Sequence, residues 1–137
     1  MQAKAMQPAL RLAGYCRISV DVEADRDNTS IENQKSIISD YVEKHFPSSE
    51  LTFYVDRDRS GYTFEQRESY QQMRPRLMLG DYDILIVKDL SRFSRRNSRG
   101  LVELEDLRDA GVRIIAIGDS IDYPTHDDWT NIRLRFL

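Results

Sequence analysis

A chain of 137 residues, 40% apolar and 31% charged, suits one domain with one core and needs no staples to hold it together. Twenty Lys and Arg against 23 Asp and Glu leave a formal net charge of -3, so nothing global advertises a polyanionic partner. The lone cysteine, Cys16, excludes an internal disulfide framework and a cysteine zinc site, and no apolar run reaches membrane-spanning length.

Residues 1–9 carry no periodicity and read as a flexible tail without a secretory pattern, so a cytoplasmic location is expected. Leu10 to Ile18 is a short apolar strand interrupted by Arg11. Side chains alternate faces along a strand, which sets Tyr15, Arg17 and Ser19 on one side and Cys16 with Ile18 on the other. Cys16 therefore reads as a buried strand residue. The acidic stretch from Asp21 to Asn28 is a loop. Thr29 or Ser30 then caps a helix in which Ile31, Ile37, Ile38, Tyr41 and Val42 recur at helical spacing, ended by Phe46-Pro47-Ser48-Ser49.

Leu51 to Val55 is a second strand, and Asp56 to Thr63, with Ser60-Gly61 inside it, a loop. Glu65 to Leu79 has a helical pattern closed by Gly80, and Pro75 predicts a kink or a break within it. Asp83 to Val87 is a nearly continuous apolar strand, expected to be buried on both faces. Leu90 to Arg96 reads as a polar, basic crossover. The run SRFSRRNSR from Ser91 to Arg99 holds Arg92, Arg95, Arg96 and Arg99 with no acid among them, a local nucleic-acid footprint on an acidic chain.

Asn97 to Ala110 is a helix with Leu101, Leu104 and Leu107 on one side, closed by Gly111, and Val112 to Ile117 is another apolar strand. Strands alternating with helices over short links predict an α/β, three-layer fold with a mainly parallel central sheet flanked by helices. Asp127 or Asp128 caps a last stripe of Trp129, Ile132, Phe136 and Leu137. The expected organisation is a tail over 1–9, one domain over 10–126, and the start of a truncated C-terminal helix over 127–137.

In such a sheet the strand C-termini share one edge, so the loops that follow them converge. Ser19 follows the first strand, Asp56 the second, and Arg92 with Arg95 the third; Arg67 opens the next helix. His45 sits at a helix end and His126 in an acidic loop, which argues against a Ser-His-Asp hydrolase. Several arginines around a serine suit phosphoryl transfer, because guanidiniums clamp phosphoryl oxygens in pairs and keep their charge at any working pH. Such a cluster can replace a metal ion. Two other classes stay open from the residues alone. Asp56 and Asp58 after a strand suit a magnesium-dependent phosphotransferase or hydrolase. A doubly wound nucleotide-binding or signalling module is the other, weakened because Gly61, Gly80, Gly100, Gly111 and Gly118 are isolated.

Five short patterns then occur in order: Tyr15-x-Arg17-x-Ser19; Ser30-Ile31-Glu32-Asn33-Gln34; Asp56 to Ser60-Gly61; Arg67; and Val87-Lys88-Asp89-Leu90-Ser91-Arg92 running on to Arg95. From Gly14 onward the chain resembles the serine recombinases, the resolvase/invertase family, and most of all its large serine integrases and transposases. The resemblance implies a resolvase-like catalytic fold and a site-specific DNA recombinase that uses no cofactor and no metal. It implies that Ser19 attacks a DNA phosphodiester to form a 5′-phosphoserine intermediate, followed by strand exchange and religation. Arg17, Arg67, Arg92 and Arg95 match the arginines that bind the scissile phosphate, and Asp56 an acidic residue that orients an arginine or handles a proton.

Tyr15 and Gln34 match supporting positions, with Ser60 (mainly turn chemistry), Ser91 and Arg96 as further supporting or DNA-contacting candidates. Ser91 stands where small resolvases carry an aspartate, while Arg67-Glu68 resembles the small type. The implied partners are double-stranded DNA at specific attachment sites and further copies of the chain, from dimer to synaptic tetramer, with no membrane. The helix cut at Leu137 and the lack of a DNA-binding domain imply a fragment inactive alone.

Overall fold

The computed structural model describes residues 9–19, 30–58, 66–93 and 98–123, with the side chains at 19, 58, 92, 93, 98 and 99 outside that set. Its elements are β1 (Arg11–Ser19), α1 (Ile31–His45), β2 (Glu50–Asp58), α2 (Glu68–Met78), β3 (Ile84–Val87), α3 (Leu90–Phe93), α4 (Ser98–Asp109), β4 (Arg113–Ala116) and β5 (Ile121–Tyr123). The strands form one sheet in the order β2-β1-β3-β4-β5. β1 pairs in parallel with β2 and with β3, and β3 in parallel with β4, whereas β5 runs antiparallel to β4. The chain moves outward from β1 to β2, then crosses back to β3. In open α/β sheets that reversal opens a crevice at the strand C-termini, here between β1 and β3.

Strand alternation sorts the core into two halves. Leu12, Cys16, Ile84, Ile86 and Ile115 face Ile31, Ile38 and Val42 of α1. Ala13, Tyr15, Leu85, Val87, Ile114 and Ala116 face Tyr70, Met73 and Leu77 of α2 and Leu104 and Leu107 of α4. All four residues of β3 are buried, as a strand covered on both faces requires. The result is the three-layer, mainly parallel α/β arrangement expected from the alternating pattern. Gly14, on the α1 side of β1, leaves room for the Phe53 ring: a Cβ there would stand 2.9 Å from two ring carbons and 3.4 Å from Ile38 Cγ2.

Ser30 caps α1, its Oγ accepting the Asn33 N–H at 3.1 Å, and Lys44 with His45 complement the dipole in the last turn. α2 starts at Glu68 and runs through Pro75 as one helix, so of the kink or break expected there the break does not occur. Pro75 lies on the exposed side of the helix, while Tyr70, Met73 and Leu77 are fully buried on the other. Packing of that face outweighs the one backbone bond a proline cannot donate. Gly80 and Gly111 end α2 and α4 with positive φ angles of 85° and 89°, a conformation that costs glycine nothing.

Three elements differ from the sequence pattern. β2 extends to Asp58, which makes Asp56 a strand residue and not the first of a loop. The basic crossover contains a helical turn, α3. β5, in a stretch read without a strand, runs antiparallel to β4 and is held by Asp122, whose carboxylate takes a two-pronged ion pair from Arg113 at 2.8 and 2.6 Å. Residues 124–137, including the stripe from Trp129 to Leu137, lie outside the described residues. Among the described residues no helix is long and apolar enough to cross a membrane.

Candidate active site

β1 outruns its neighbour. Its pairing with β3 ends at Tyr15 opposite Val87, while its pairing with β2 continues through Arg17 opposite Asp56 to Ser19 opposite Asp58. The last residues of β1 therefore project into the crevice with no strand on one side. A fully buried side chain fills the gap. Gln34 of α1 accepts the Arg17 N–H at 3.1 Å through Oε1 and donates from Nε2 to the Arg17 carbonyl at 3.0 Å. One primary amide thus serves both backbone groups, as a neighbouring strand would.

The Arg17 side chain is buried, at 4% exposure, and its Nη2 donates to the Ser91 carbonyl at 2.9 Å. Asp56, at 7%, sits beside it on β2. Its Oδ1 accepts the Ser69 N–H at 2.9 Å, and its Oδ2 accepts the Tyr70 N–H at 3.0 Å and the Tyr15 hydroxyl at 2.7 Å. Ser69 completes the join by donating its own hydroxyl to the Val55 carbonyl at 2.6 Å. Arg67, the residue before α2, makes no capping bond with its side chain. Asp56 does that work from β2, satisfying two N–H groups that a helix start leaves without intrahelical partners. In doing so it anchors the point where Arg67, 5% exposed, enters the core.

Tyr15 reports on the charges around it. Burial pushes its phenol well above the ordinary range; Arg67 pulls it back down, Asp56 raises it, and Arg17 lowers it again. Two buried cations and one carboxylate therefore surround a neutral phenol that keeps its proton and donates it to Asp56. Behind Tyr15 the Tyr70 ring packs edge-on at 5.4 Å. The Tyr70 hydroxyl donates to Glu103 of α4, which also takes Arg74 Nε at 2.7 Å. Burial and the Glu103 charge both drive the Tyr70 phenol upward.

The far wall of the crevice is the turn from β3 into α3. Lys88 pairs with Asp89 at 2.8 Å, the Ser91 hydroxyl donates to Asp89 Oδ1, and the Leu90 N–H donates to Asp119 Oδ2 at 2.8 Å.

The structure thus brings Tyr15, Arg17, Gln34, Asp56 and Arg67 together at one rim and joins Ser91 to them through its backbone carbonyl. Ser19 ends β1 at the same rim. Its side chain and that of Arg92 lie outside the described set, as do residues Ser60, Arg95 and Arg96 entirely. His45 closes α1 stacked on Tyr41 at 4.2 Å, away from this rim, and His126 is outside the described residues. The three hydrogen bonds already taken by Asp56 favour capping over magnesium ligation, and among the described residues no group of three His, Cys, Asp or Glu side chains could hold a metal ion.

Glu103 and Asp119 escaped the sequence reading. Asp119 follows β4 at the convergent edge and is flagged by the same rule that singled out Asp56. Glu103 lies next to Leu104 in the apolar stripe of α4, and nothing local marks it as buried.

The fold is an open, mainly parallel α/β sheet with Arg17 at the end of its first strand and Arg67 just before α2, both buried beside Tyr15. Comparison with known proteins narrows the class. A match to the family described as "Resolvase, N terminal domain" spans residues 12–134. The N-terminal catalytic domain of TP901-1 integrase superposes with a TM-score of 0.72 at 24% identity, over 90% of this chain and 88% of that one. A resolvase family site-specific recombinase from Streptococcus pneumoniae gives 0.70 at 26% identity, over 91% and 83%. The C-terminal catalytic domain of ISC1926 TnpA, an IS607-like serine recombinase, gives 0.61 at 19% identity, over 79% and 70%. Curated protein sequences return no match. The chain belongs to the resolvase family and is a serine recombinase catalytic domain.

Proposed function

We propose that this domain cuts and rejoins double-stranded DNA at specific attachment sites, with Ser19 as the nucleophile. The observation that carries the reading is the pair of buried guanidiniums, Arg17 and Arg67, flanking Tyr15 at the end of β1, two residues from Ser19 in the case of Arg17. Ser19 Oγ attacks the phosphorus of a phosphodiester and gives up its proton. The P–O3′ bond breaks, the 3′ oxygen leaves as a hydroxyl after taking up a proton, and the 5′ phosphate remains esterified to serine. Religation is the reverse step, with a 3′-hydroxyl attacking the phosphoserine.

One phosphate ester is exchanged for another, so bond energy is conserved and no nucleotide cofactor is consumed. Arg17 and Arg67, with Arg92 and Arg95 contributed by the basic segment, hold the non-bridging oxygens and stabilise the charge they gain. Asp56 anchors Arg67 through the start of α2, and Gln34 fixes the backbone of Arg17. Strand exchange needs two cut duplexes, so the working assembly is a synaptic tetramer built from dimers.

The test is to incubate the full-length protein with DNA from its source cells and trap covalent complexes by denaturation. An adduct that survives EDTA and is lost in Ser19→Ala supports the reading. An adduct that requires magnesium, or that persists in Ser19→Ala and disappears in Asp56→Asn, sinks it in favour of a metal enzyme.

A further inference from the structure

We propose that Asp119 and Asp89 are positioning residues for Arg17, acting through the turn that presents the Ser91 carbonyl. The inference rests on the reading that Arg17 serves the scissile phosphate. Arg17 reaches a rim that β3 has already left, and its Nη2 finds the Ser91 carbonyl at 2.9 Å. A carbonyl aims a guanidinium through that contact without placing a negative charge against it. Displacing Ser91 displaces that contact.

Ser91 lies at the start of α3, directly after the turn from β3. Contacts from the turn after β4 fix where that segment sits. Its position is imposed from outside. Asp119 accepts the Leu90 N–H at 2.8 Å, across 29 residues of sequence. The Gly118 N–H donates to the Lys88 carbonyl at 2.6 Å, an approach so close that a Cβ on Gly118 would sit 3.0 Å from that oxygen. Asp89 accepts the Ser91 hydroxyl on one oxygen and the Lys88 ammonium, at 2.8 Å, on the other. Leu90 plugs the turn into the core at 3% exposure. The turn after β4 therefore clamps the turn after β3, and the clamp ends on the carbonyl that receives Arg17.

What matters at position 119 is a hydrogen-bond acceptor, so Asp119→Asn keeps the function and Asp119→Ala loses it. Two readouts test this in the full-length protein. The first needs no DNA: the guanidinium ¹⁵N–¹H signals of Arg17, assigned by their loss in Arg17→Lys. Wild type and Asp119→Asn are expected to show hindered Nη rotation, and Asp119→Ala the averaged signal of a released side chain. The second is the rate of Ser19 adduct formation on DNA from the source cells. Asp119→Ala slows it roughly tenfold to a hundredfold at saturating DNA, as a slight misplacement of a catalytic group does. The DNA concentration at half-maximal rate stays as in wild type.

Ser91→Ala, at an exposed position, cuts only the Asp89 link; it moves both readouts the same way by less and carries the test if Asp119→Ala does not fold. Unchanged Arg17 signals and rates in both variants, or an Asp119→Asn as damaged as Asp119→Ala, overturn the proposal. An effect of Asp119→Ala without one of Ser91→Ala removes Asp89 from it. A wild type that forms no adduct defeats the proposed chemistry instead, and the guanidinium signals still decide the positioning.

Discussion

The side-chain amide of Gln34 completes the backbone of Arg17, accepting its N–H at 3.1 Å and donating to its carbonyl at 3.0 Å. A single residue of α1 therefore does for the end of β1 what β3 does for its middle. Gln34→Ala leaves a donor and an acceptor unmet in a buried place. Each such group costs about 1–3 kcal/mol, so a total loss of about 2–6 kcal/mol is expected from urea unfolding. Gln34→Glu sets a buried carboxylate oxygen against the Arg17 carbonyl and should cost at least as much as Gln34→Ala.

Asp56 holds three donors at once: two N–H groups of α2 and the Tyr15 hydroxyl. Asp56→Ala should cost about 2–4 kcal/mol, the sum of a lost cap and an unmet buried hydroxyl. Tyr15→Phe removes one donor of the three and should cost about 1 kcal/mol. The two substitutions share a partner, so a double-mutant cycle in urea is expected to show less than additive losses.

The alternation of Tyr15 against Cys16 is legible because a strand's period of two sends them to opposite halves of the core. The buried β3 and the leucine stripe of α4 were legible because their apolar patterns agree with their burial. Asp56 was visible as a candidate but not as a cap, since its place in β2 depends on how far β1 extends beside it. Asp119 touches Leu90 across 29 residues, and no local pattern encodes such a contact. Pro75 does not break α2, because the burial of Tyr70, Met73 and Leu77 outweighs its local preference.

Gly14 is a question of space. Gly14→Ala drives a methyl to 2.9 Å from the Phe53 ring and 3.4 Å from Ile38. Overpacking of this kind costs about 1–3 kcal/mol, which thermal or urea unfolding will read. Shortening the neighbour, in Gly14→Ala with Phe53→Leu, should recover part of the loss.

Alkali should unfold the domain from about pH 9 upward. Burial pushes the Cys16 thiol up to about 11 from an ordinary 9.0, and lifts the Tyr15 and Tyr70 phenols above an ordinary 10.0. The unfolded chain loses these protons first and binds fewer of them than the folded one, so stability falls as pH rises. The contribution is complete below pH 9, and the thiol's share is spent by about pH 11. The urea midpoint measured from pH 7 to 11 should fall over that window, and less steeply in Cys16→Ala. A flat profile in wild type contradicts the assignment.

In the proposed reaction Ser19 becomes joined to DNA through a 5′ phosphate. Mass spectrometry of the trapped, nuclease-treated complex tests it most directly, on the tryptic peptide from Ile18 to Arg26. The expected product is a nucleotide linked through its 5′ phosphate to Ser19, with a free 3′-hydroxyl on the cut strand. A phosphodiester on any other side chain, or a 3′-phosphate link, would contradict it.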